Sequence, residues 1–285
     1  MSRKKSWNIY NISYKDVAEI LKKTDTILIP MGSLEKHGEH IPLGTDSIVT
    51  EQVVKMVAPI AEVPYAPMIP FGYSPHHMGR VGEGNGTITF SGETYRRVIY
   101  EIGKCLIYHG FNKLVFVSHH GSNVKVTDEV LRKLYYETGC FVCWYKTPTE
   151  RTYDFLGDIV EGPPEETPGW HAGEIETSII QAYNMDVFDK DKMEKGSTHP
   201  PAYMGPNFHK KDGAATVEFK GVETIWVPME HHEYCDNATI GNPFRATPEK
   251  GIKYYDLVRD HLVAFLKEVK KFKMEVKNRD FPNRA

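Results

Sequence analysis

Short apolar runs alternate along the chain with segments in which apolar residues recur every three or four positions. The short runs have the length and the β-branched or aromatic content of strands and occupy residues 26–31, 114–117, 140–145 and 222–227. A further run at 63–69 is interrupted by prolines. Helical spacing is found at 48–57, 92–110, 124–136 and 173–183. Strands that alternate with helices predict an α/β fold with a parallel sheet.

Helix boundaries are marked at both ends of the chain. Ser13 and Asp16 have the spacing of a capping box in front of a short helix. Near the other end, Thr247 can cap a long helix whose first turn contains Pro248 and which ends in charged residues near Lys273. The pattern therefore predicts helices that begin and end the fold.

Length and charge narrow the possible functions. The 285 residues carry 35 basic and 38 acidic side chains and a net charge of −3, which argues against a nucleic-acid-binding surface. No apolar run approaches the roughly 18 residues of a membrane span, and the first residues lack the apolar segment of a secretory signal. We expect a single domain over residues 1–285 in the cytoplasm.

The loop after the first strand contains several potential metal ligands. The chain breaks at Gly32 and Ser33 and then presents Glu35, His37, His40 and Asp46. Residues two apart on an extended segment project to the same side, so Glu35 and His37 can face one point. Open α/β sheets bind ligands at such a position, and carboxylates with imidazoles suit zinc or manganese. The alternative is a chance cluster on a solvated loop.

Two further segments bear on the site. His120 directly follows the strand at 114–117, in the same topological position as Glu35 and His37, whereas His119 is expected to point elsewhere. The glycine-rich loop at 71–87 contains His76, His77 and Arg80, which indicate a polar loop outside the core. These three are either ordinary surface side chains or, as the family resemblance described below implies, substrate contacts. The polar passage at 147–168 is expected to lie outside the core as a lid or an interface.

Two other motifs are given structural interpretations. Cys140 and Cys143 have a C-x-x-C spacing that is typical of redox or zinc sites. On a strand, however, residues three apart face opposite sides, which favours buried structural thiols. The Met-Glu-His-His-Glu segment at 229–233 lacks an H-E-x-x-H pattern, so we expect a solvated or subunit-contact loop there. Residues 185–222 are expected to form a loop-rich surface excursion.

Several motifs together resemble the creatininase (creatinine amidohydrolase) family. They are GSLEKHG at 32–38 with LGTD at 43–46, SHHGSN at 118–123 and HAGEIETS at 171–178, with weaker similarity at 85–87 and 240–243. The resemblance implies a three-layer αβα fold with a mostly parallel central sheet. It also implies one or two divalent ions, Zn or Mn. The metal ligands carried over by position are Glu35, His37, Asp46, His120 and Glu176.

The resemblance also suggests roles around the metal. His171 is the expected catalytic general acid, since imidazole titrates near neutral pH, and Asp46 is the candidate for a bridging carboxylate. The expected substrate-binding residues are Ser122, Trp170, Arg80 and His77. Ser122 stands where creatinine hydrolases have an acidic residue, and Trp170 directly precedes His171 whereas their tryptophan lies several residues earlier. The serine argues against a second, exchangeable metal site. The position of the tryptophan removes the ring-clamping arrangement for creatinine, which argues against creatinine as the substrate.

The sequence thus predicts a divalent-metal-dependent hydrolase that opens a small cyclic carbonyl compound with metal-activated water. The resemblance implies several possible reactions, because the family includes hydrolases that open cyclic amides, deformylases, and a group that cleaves a C–C bond of a diketo-inositol (3-dehydro-scyllo-inosose) in inositol catabolism. Among these, loops rich in His, Arg, Asn and Ser suit a polyhydroxylated ring and favour the diketo-inositol. One alternative is an amidohydrolase that cleaves a cyclic amide C–N bond. Another is a non-catalytic metal-binding scaffold. The family resemblance also implies a homo-oligomer, with a small cyclic polar substrate and neither nucleic acid nor membrane as a partner.

Overall fold

The computed structural model describes residues 6–149, 152–161 and 171–281. Its centre is a parallel sheet of β1 (Thr26–Pro30), β2 (Lys113–Ser118) and β3 (Phe141–Lys146), with β2 in the middle. Every residue of β1 and β2 is buried, as expected for a parallel sheet covered on both faces. The predicted strands at 26–31, 114–117 and 140–145 are confirmed with small shifts at their ends.

Helices cover both faces of this sheet. They are α1 (Tyr14–Leu21), α2 (Thr45–Ala61), α3 (Gly92–Tyr108), α4 (Gly121–Lys125), α5 (Asp128–Thr138), α6 (Tyr153–Leu156), α7 (Glu174–Tyr183), α8 (His231–Tyr234) and α9 (Pro248–Val269). Val115 on β2 packs in one core with α2, α7 and α9, whereas its neighbour Phe116 packs in a second core with α3 and α5. This alternation gives the predicted three-layer αβα arrangement.

The proline-rich run at 63–69 is only partly a strand. It lies parallel to β1 through bridges from Tyr65 to Leu28 and from Ile69 to Met31. Pro64 and Pro67 have no N–H to donate, so a continuous ladder cannot form. The run nevertheless extends the sheet beyond β1, as the strand prediction implied.

The predicted helix at 124–136 is divided into α4 and α5. The chain breaks at Val126 and Thr127, where the Thr127 hydroxyl donates to Asn123 O at 2.9 Å and accepts from Trp144 Nε1 at 2.7 Å. The bond to Trp144 fixes the residues between α4 and α5 next to β3. The division lets α4 begin at Gly121, immediately after His120, which serves as its N-cap.

A small antiparallel sheet lies outside the central sheet. It consists of β4 (Phe208–His209), β5 (Thr216–Phe219) and β6 (Val222–Trp226). Lys220 and Gly221, with φ of 49° and 82°, form the two-residue turn between β5 and β6 that positive φ angles permit. β6 confirms the strand predicted at 222–227. The segment at 185–222, expected to be loop-rich, also contains β4 and β5, which are too short to show an alternating pattern.

The passage at 147–168 contains core residues, contrary to expectation. Residues 150–151 and 162–168 lie outside the described ranges. In the described part, Leu156, Ile159 and Val160 are buried in the core that contains α9. Their apolar side chains outweigh the polar composition of the surrounding segment, so the expectation that it lies outside the core is wrong for these residues.

The remaining fold predictions concern caps and thiols. Ser13 and Asp16 form the predicted capping box, and Thr247 accepts from Lys250 N to cap α9. Cys140 packs on the α3 and α5 side of the sheet and Cys143 on the other, and both are free thiols. Among the described residues, no helix is long and apolar enough to span a membrane. A single domain, a cytoplasmic location and a homo-oligomer stay predictions.

Candidate metal centre

The five predicted ligands converge at the carboxyl edge of the central sheet. Glu35 and His37 lie in the loop after β1, and His120 follows β2. Asp46 and Glu176 lie in the first turns of α2 and α7. All five side chains are nearly inaccessible to solvent. The site therefore lies where parallel α/β sheets place their ligands.

The donor atoms form two overlapping sets. Glu35, Asp46 and His120 each place one ligand atom within 4.8 Å of the other two, and His37, Asp46 and Glu176 do the same. In the first set, His120 Nδ1 lies 3.2 Å from Glu35 Oε1 and 3.4 Å from Asp46 Oδ2. In the second, His37 Nε2 lies 3.6 Å from Glu176 Oε2 and 3.9 Å from Asp46 Oδ2. Asp46 is the residue that both sets share.

Backbone carbonyls fix the orientation of the two imidazoles. His37 Nδ1 lies 3.0 Å from Glu35 O, and His120 Nε2 lies 3.0 Å from Tyr73 O. A carbonyl only accepts, so these ring nitrogens carry the hydrogen and donate it. The other nitrogen of each ring faces carboxylates. Burial opposes protonation of both imidazoles, but these carboxylates outweigh it and raise their pKa. A bound cation would take the place of the proton on that nitrogen. Metal-binding histidines are oriented by outer hydrogen bonds of this kind.

Unsatisfied atoms at the centre indicate a missing cation. His37 Nε2 and Asp46 Oδ2 are buried and have no hydrogen-bond partner. A buried polar atom without a partner costs free energy, so an ion that both atoms could bind would remove this cost. A set of imidazole nitrogens and carboxylate oxygens suits Zn or Mn. The residues present therefore fit the expected metal.

The electrostatics also favour a positive charge here. Burial opposes ionisation of Glu35, but the imidazoles of His120 and His77 outweigh it and hold the pKa of the carboxyl well below its usual value. Burial likewise opposes ionisation of Glu176, but the neighbouring His37 and His119 outweigh it and lower the pKa of this carboxyl to about 2. Both carboxylates are thus ionised at neutral pH, buried and close together, an arrangement that a divalent ion stabilises.

His171 lies at the inner wall of this centre. Its Nε2 donates to Lys36 O at 2.7 Å, and its ring stacks on His37 with centroids 4.1 Å apart. Burial and the neighbouring His37 lower the pKa of His171 to about 4. The expectation that this imidazole titrates near neutral pH was therefore wrong. The ring is therefore uncharged at neutral pH, and its Nδ1 lies 3.9 Å from Glu35 Oε1.

His119 does not point away from the site, contrary to prediction. Its Nε2 lies 3.1 Å from Glu176 Oε1, and its Nδ1 lies 2.5 Å from Thr147 Oγ1. The prediction failed because β2 ends at Ser118, so strand alternation no longer governs the next residue. His119 thus holds Glu176 from the side opposite to His37. His40, in the first ligand loop, instead bonds Thr177 Oγ1 at 3.0 Å.

The sequence analysis missed His231. We expected the 229–233 segment to be solvated or in a subunit contact, yet this side chain is 1% exposed and lies beside His77 and His171. Each of the three rings offers one nitrogen within 4.8 Å of the other two. The only hint in the sequence that this segment could reach the site was the adjacent pair His231 and His232. It was not recognised because β4 and β5, which pair with the predicted strand β6 in front of this segment, were not predicted.

A cavity of about 630 Å³ opens onto the ligands. Ser122 and His77 line it, together with Tyr73, Lys146 and Trp226. Arg80 is exposed, and its backbone N–H donates to Glu83 Oε2 at 2.7 Å. Among the described residues that line this cavity, Arg80 does not occur. The substrate-binding roles of Arg80, Ser122 and His77 stay predictions. Trp170 lies outside the described residues.

Side chains of this kind, buried at a sheet edge and open to a ligand-sized cavity, are the machinery of metal-dependent hydrolases, and the fold and the site place the chain in that class. Residues 10–266 match the family model described as creatininase, creatinine amidohydrolase. The chain belongs to the creatininase family.

Curated relatives within the family have different named activities. The chain is 30% identical over 216 residues to a creatinine amidohydrolase of Pseudomonas putida, covering 71% of this chain and 80% of that protein. It is 28% identical over 271 residues to a 3-dehydro-scyllo-inosose hydrolase of Thermotoga maritima, covering 90% and 82%. It is 28% identical over 248 residues to a mycofactocin precursor peptide peptidase of Mycobacterium ulcerans, covering 84% and 83%.

Solved structures share the fold. A crystal structure of creatinine amidohydrolase superposes with a TM-score of 0.72 at 22% identity, covering 95% of this chain and 100% of the other. A structure described as creatininase Mn gives a TM-score of 0.71 at 24% identity, covering 94% and 100%. A structure of a mutant creatininase of Zn-Zn type gives a TM-score of 0.68 at 23% identity, covering 94% of this chain and 100% of the other. The predicted three-layer fold is thereby confirmed.

Proposed function

We propose that this protein is a divalent-metal-dependent hydrolase that opens a polyhydroxylated cyclic ketone by C–C bond hydrolysis, with 3-dehydro-scyllo-inosose as the leading substrate. The observation that carries the hydrolase assignment is the convergence of Glu35, Asp46 and His120 with a second donor set beside an open cavity. The choice of substrate is supported by the Thermotoga maritima relative, which aligns with 90% of the chain.

The metal is the first part of the proposal. The proposed ligands are Glu35, His37, Asp46, His120 and Glu176, for one or two ions of Zn or Mn. The shared Asp46 is the carboxylate that would bridge two ions. The neighbours described as Mn and Zn-Zn forms support this choice of metals. When bound, a divalent ion polarises a carbonyl oxygen and acidifies coordinated water.

His171 is proposed to move the proton. Its neutral ring is held by Lys36 O at Nε2, and its Nδ1 lies 3.9 Å from Glu35 Oε1. Nδ1 would accept a proton from the attacking water, whose oxygen forms a bond to one carbonyl carbon. The bond from that carbon to its ring neighbour then breaks, and the electron pair passes to the neighbour as an enolate of the remaining carbonyl. His171 then returns the proton to the neighbouring carbon, which carries the electron pair of the enolate, and the product is a ring-opened acid.

The cavity lining supports a hydroxyl-bearing substrate over creatinine. His76, His77 and His231 form part of the wall, and Ser122 lies near its base in α4. Imidazoles and hydroxyls both donate and accept hydrogen bonds, as sugar-like hydroxyls do. A cyclic amide is the alternative substrate, favoured by the 30% identity to the Pseudomonas putida enzyme, and its leaving atom would be nitrogen.

The proposal is tested on purified protein that is stripped with a chelator and reloaded with Zn²⁺ or Mn²⁺. The protein is incubated separately with 3-dehydro-scyllo-inosose, creatinine and a simple formamide, and products are followed by NMR. Metal-dependent formation of a ring-opened acid from the diketo-inositol is expected. Turnover of creatinine or formamide alone would support the amidohydrolase instead. Bound metal without turnover of any substrate would support the scaffold.

A further inference from the structure

His231 is held rigidly at the entrance to the metal centre. After β6 the chain enters α8, where Glu230 and Glu233 form a reciprocal capping box. Within this short helix the Tyr234 ring lies 5.1 Å from the His231 ring, and Tyr234 also belongs to the core beneath the antiparallel sheet. α8 packs against the turn at Pro75–His77. The position of His231 is therefore determined by its surroundings.

The ring of His231 belongs to a group of packed imidazoles, which we term the imidazole column and which comprises His37, His171, His77 and His231. The His231 ring contacts both His77 and His171, with its centroid 5.0 Å from that of His171. The ring centroids are 4.1 Å apart from His37 to His171 and 4.7 Å apart from His171 to His77. The distance from His77 to His231 is 4.5 Å. The column thus leads from the metal ligands to the wall of the cavity formed by α8.

His231 differs from the rest of the column in its hydrogen bonds. His37 and His171 each donate to a backbone carbonyl, and His77 Nε2 lies 3.4 Å from Glu35 Oε1. Neither ring nitrogen of His231 has a hydrogen-bond partner in the described part of the chain, although the side chain is 1% exposed. A buried ring that keeps both nitrogens unpaired is costly unless a bound molecule completes it.

Ring geometry argues against a metal as that molecule. The lone pair of an imidazole nitrogen lies in the plane of its ring, so ligands of one ion direct their ring edges at it. The His77 and His231 rings are instead stacked, with an interplanar angle of 29°. The edges of these two rings therefore lie side by side, and only the His171 ring, with its centroid 5.0 Å from that of His231, is steeply tilted to His231, by 57°. A polar group that reaches one ring edge fits this arrangement better than an ion.

We infer that His231 is a substrate-binding residue that recognises a hydroxyl group of the substrate ring. This inference rests on the proposed function. A neutral imidazole offers one donor and one acceptor, which complements a hydroxyl group that is also both. A site built to pair with a hydroxyl discriminates strongly against molecules that lack it. His231 would therefore contribute to the selection of a polyol ring.

The test compares His231→Phe with the control His232→Phe in the metal-loaded protein. Phenylalanine keeps the stack on His77 but removes both nitrogens. His232 is adjacent on α8, is partly exposed and pairs with Glu83 at 3.3 Å, outside the column. We measure KM and kcat for the substrate that the wild type hydrolyses, bound metal by elemental analysis, and the affinity for the unreactive polyol scyllo-inositol by NMR titration.

His231→Phe should raise KM and weaken scyllo-inositol binding roughly tenfold, the loss expected for one buried hydrogen bond, with bound metal unchanged. The control should match the wild type. A lost metal equivalent, an unchanged affinity for scyllo-inositol, or no binding of scyllo-inositol to the wild type would each overturn the inference. If His231→Phe does not fold, His231→Asn replaces it, with the same expected direction. A wild type that binds scyllo-inositol but hydrolyses nothing contradicts only the proposed function.

Discussion

At the scale of single residues, Asp46 is the position on which the metal centre depends most. It belongs to both donor sets, whereas Glu176 belongs to one. Asp46→Asn should therefore abolish tight metal binding at both sets, while Glu176→Gln should retain binding at the set of Glu35, Asp46 and His120. Elemental analysis of the dialysed variants measures this difference. Equal metal content in the two variants would contradict the shared-ligand arrangement.

His119 should act on the metal through Glu176. Its Nε2 lies 3.1 Å from Glu176 Oε1, so His119→Phe would leave that carboxylate oxygen without its partner. Loss of an outer hydrogen bond typically lowers metal affinity about 10–100-fold. We expect a loss of this size in competition titrations with a chelating dye. The exposed His109→Phe on the opposite helical layer is the matched control and should bind metal as the wild type does.

The residues that could be predicted are those whose position follows from local sequence. Glu35, His37 and His120 follow strands directly, so their side chains necessarily approach the sheet edge. His119 was assigned incorrectly because the strand ends one residue before it. His231 could not be placed, since its burial depends on a sheet formed by residues distant from the ligand loops.

At the scale of elements, the contact between α7 and α9 positions part of the site. Gly251 on α9 lies directly against the backbone of Ser178 on α7, and a Cβ at this position would overlap the Ser178 carbonyl oxygen. Glu176 is two residues earlier on α7. The spacing of these helices therefore fixes how far this ligand reaches toward His37.

Gly251→Ala should destabilise the protein although alanine is the better helix former. The gain in helix propensity is about 1 kcal/mol, whereas forcing two packed helices apart costs about 1–3 kcal/mol and moves Glu176 as well. We expect a lower midpoint of urea unfolding together with weaker metal binding. Gly205→Ala is the control, because nothing lies within 4 Å of its added Cβ. A stabilised Gly251→Ala would show that the helices can adjust.

The cap of α9 is a simpler element-scale prediction. Thr247 accepts a hydrogen bond from Lys250 N at the start of this 22-residue helix. Thr247→Ala should reduce the free energy of unfolding by about 1 kcal/mol, the usual value for a lost N-cap. Chemical denaturation monitored by circular dichroism measures the effect. Thr247→Ser, which keeps the hydroxyl, should retain most of the stability.

The helices and the central strands were predictable because their apolar residues follow a clear helical or strand pattern and because capping residues, glycines or prolines mark their ends. The exceptions have physical causes. Prolines divide the run at 63–69, and the Thr127 hydroxyl fixes the break between α4 and α5. β4 contains two residues, too few to show any alternation.

At the scale of the whole molecule, metal binding and folding should be coupled. Glu35 and Glu176 are ionised and buried at a position where helices and strands from all parts of the chain meet. An ion that binds only the folded state adds stability that increases with its concentration, by about 2.7 kcal/mol at 100 times Kd. Chelation should therefore lower Tm, and added Zn²⁺ or Mn²⁺ should restore it. A Tm unaffected by chelator and metal in calorimetry would contradict this coupling.

The centre draws its side chains from two separate sheets. The loops and helices at the carboxyl edge of the parallel sheet supply the proposed metal donors, whereas α8, which begins at His231, follows the antiparallel sheet. Substitutions within β4–β6 would therefore change substrate selectivity through the position of His231, while the proposed metal donors keep their positions. Relatives with unlike substrates are a natural outcome of this division of labour, in which evolution can vary selectivity without rebuilding catalysis.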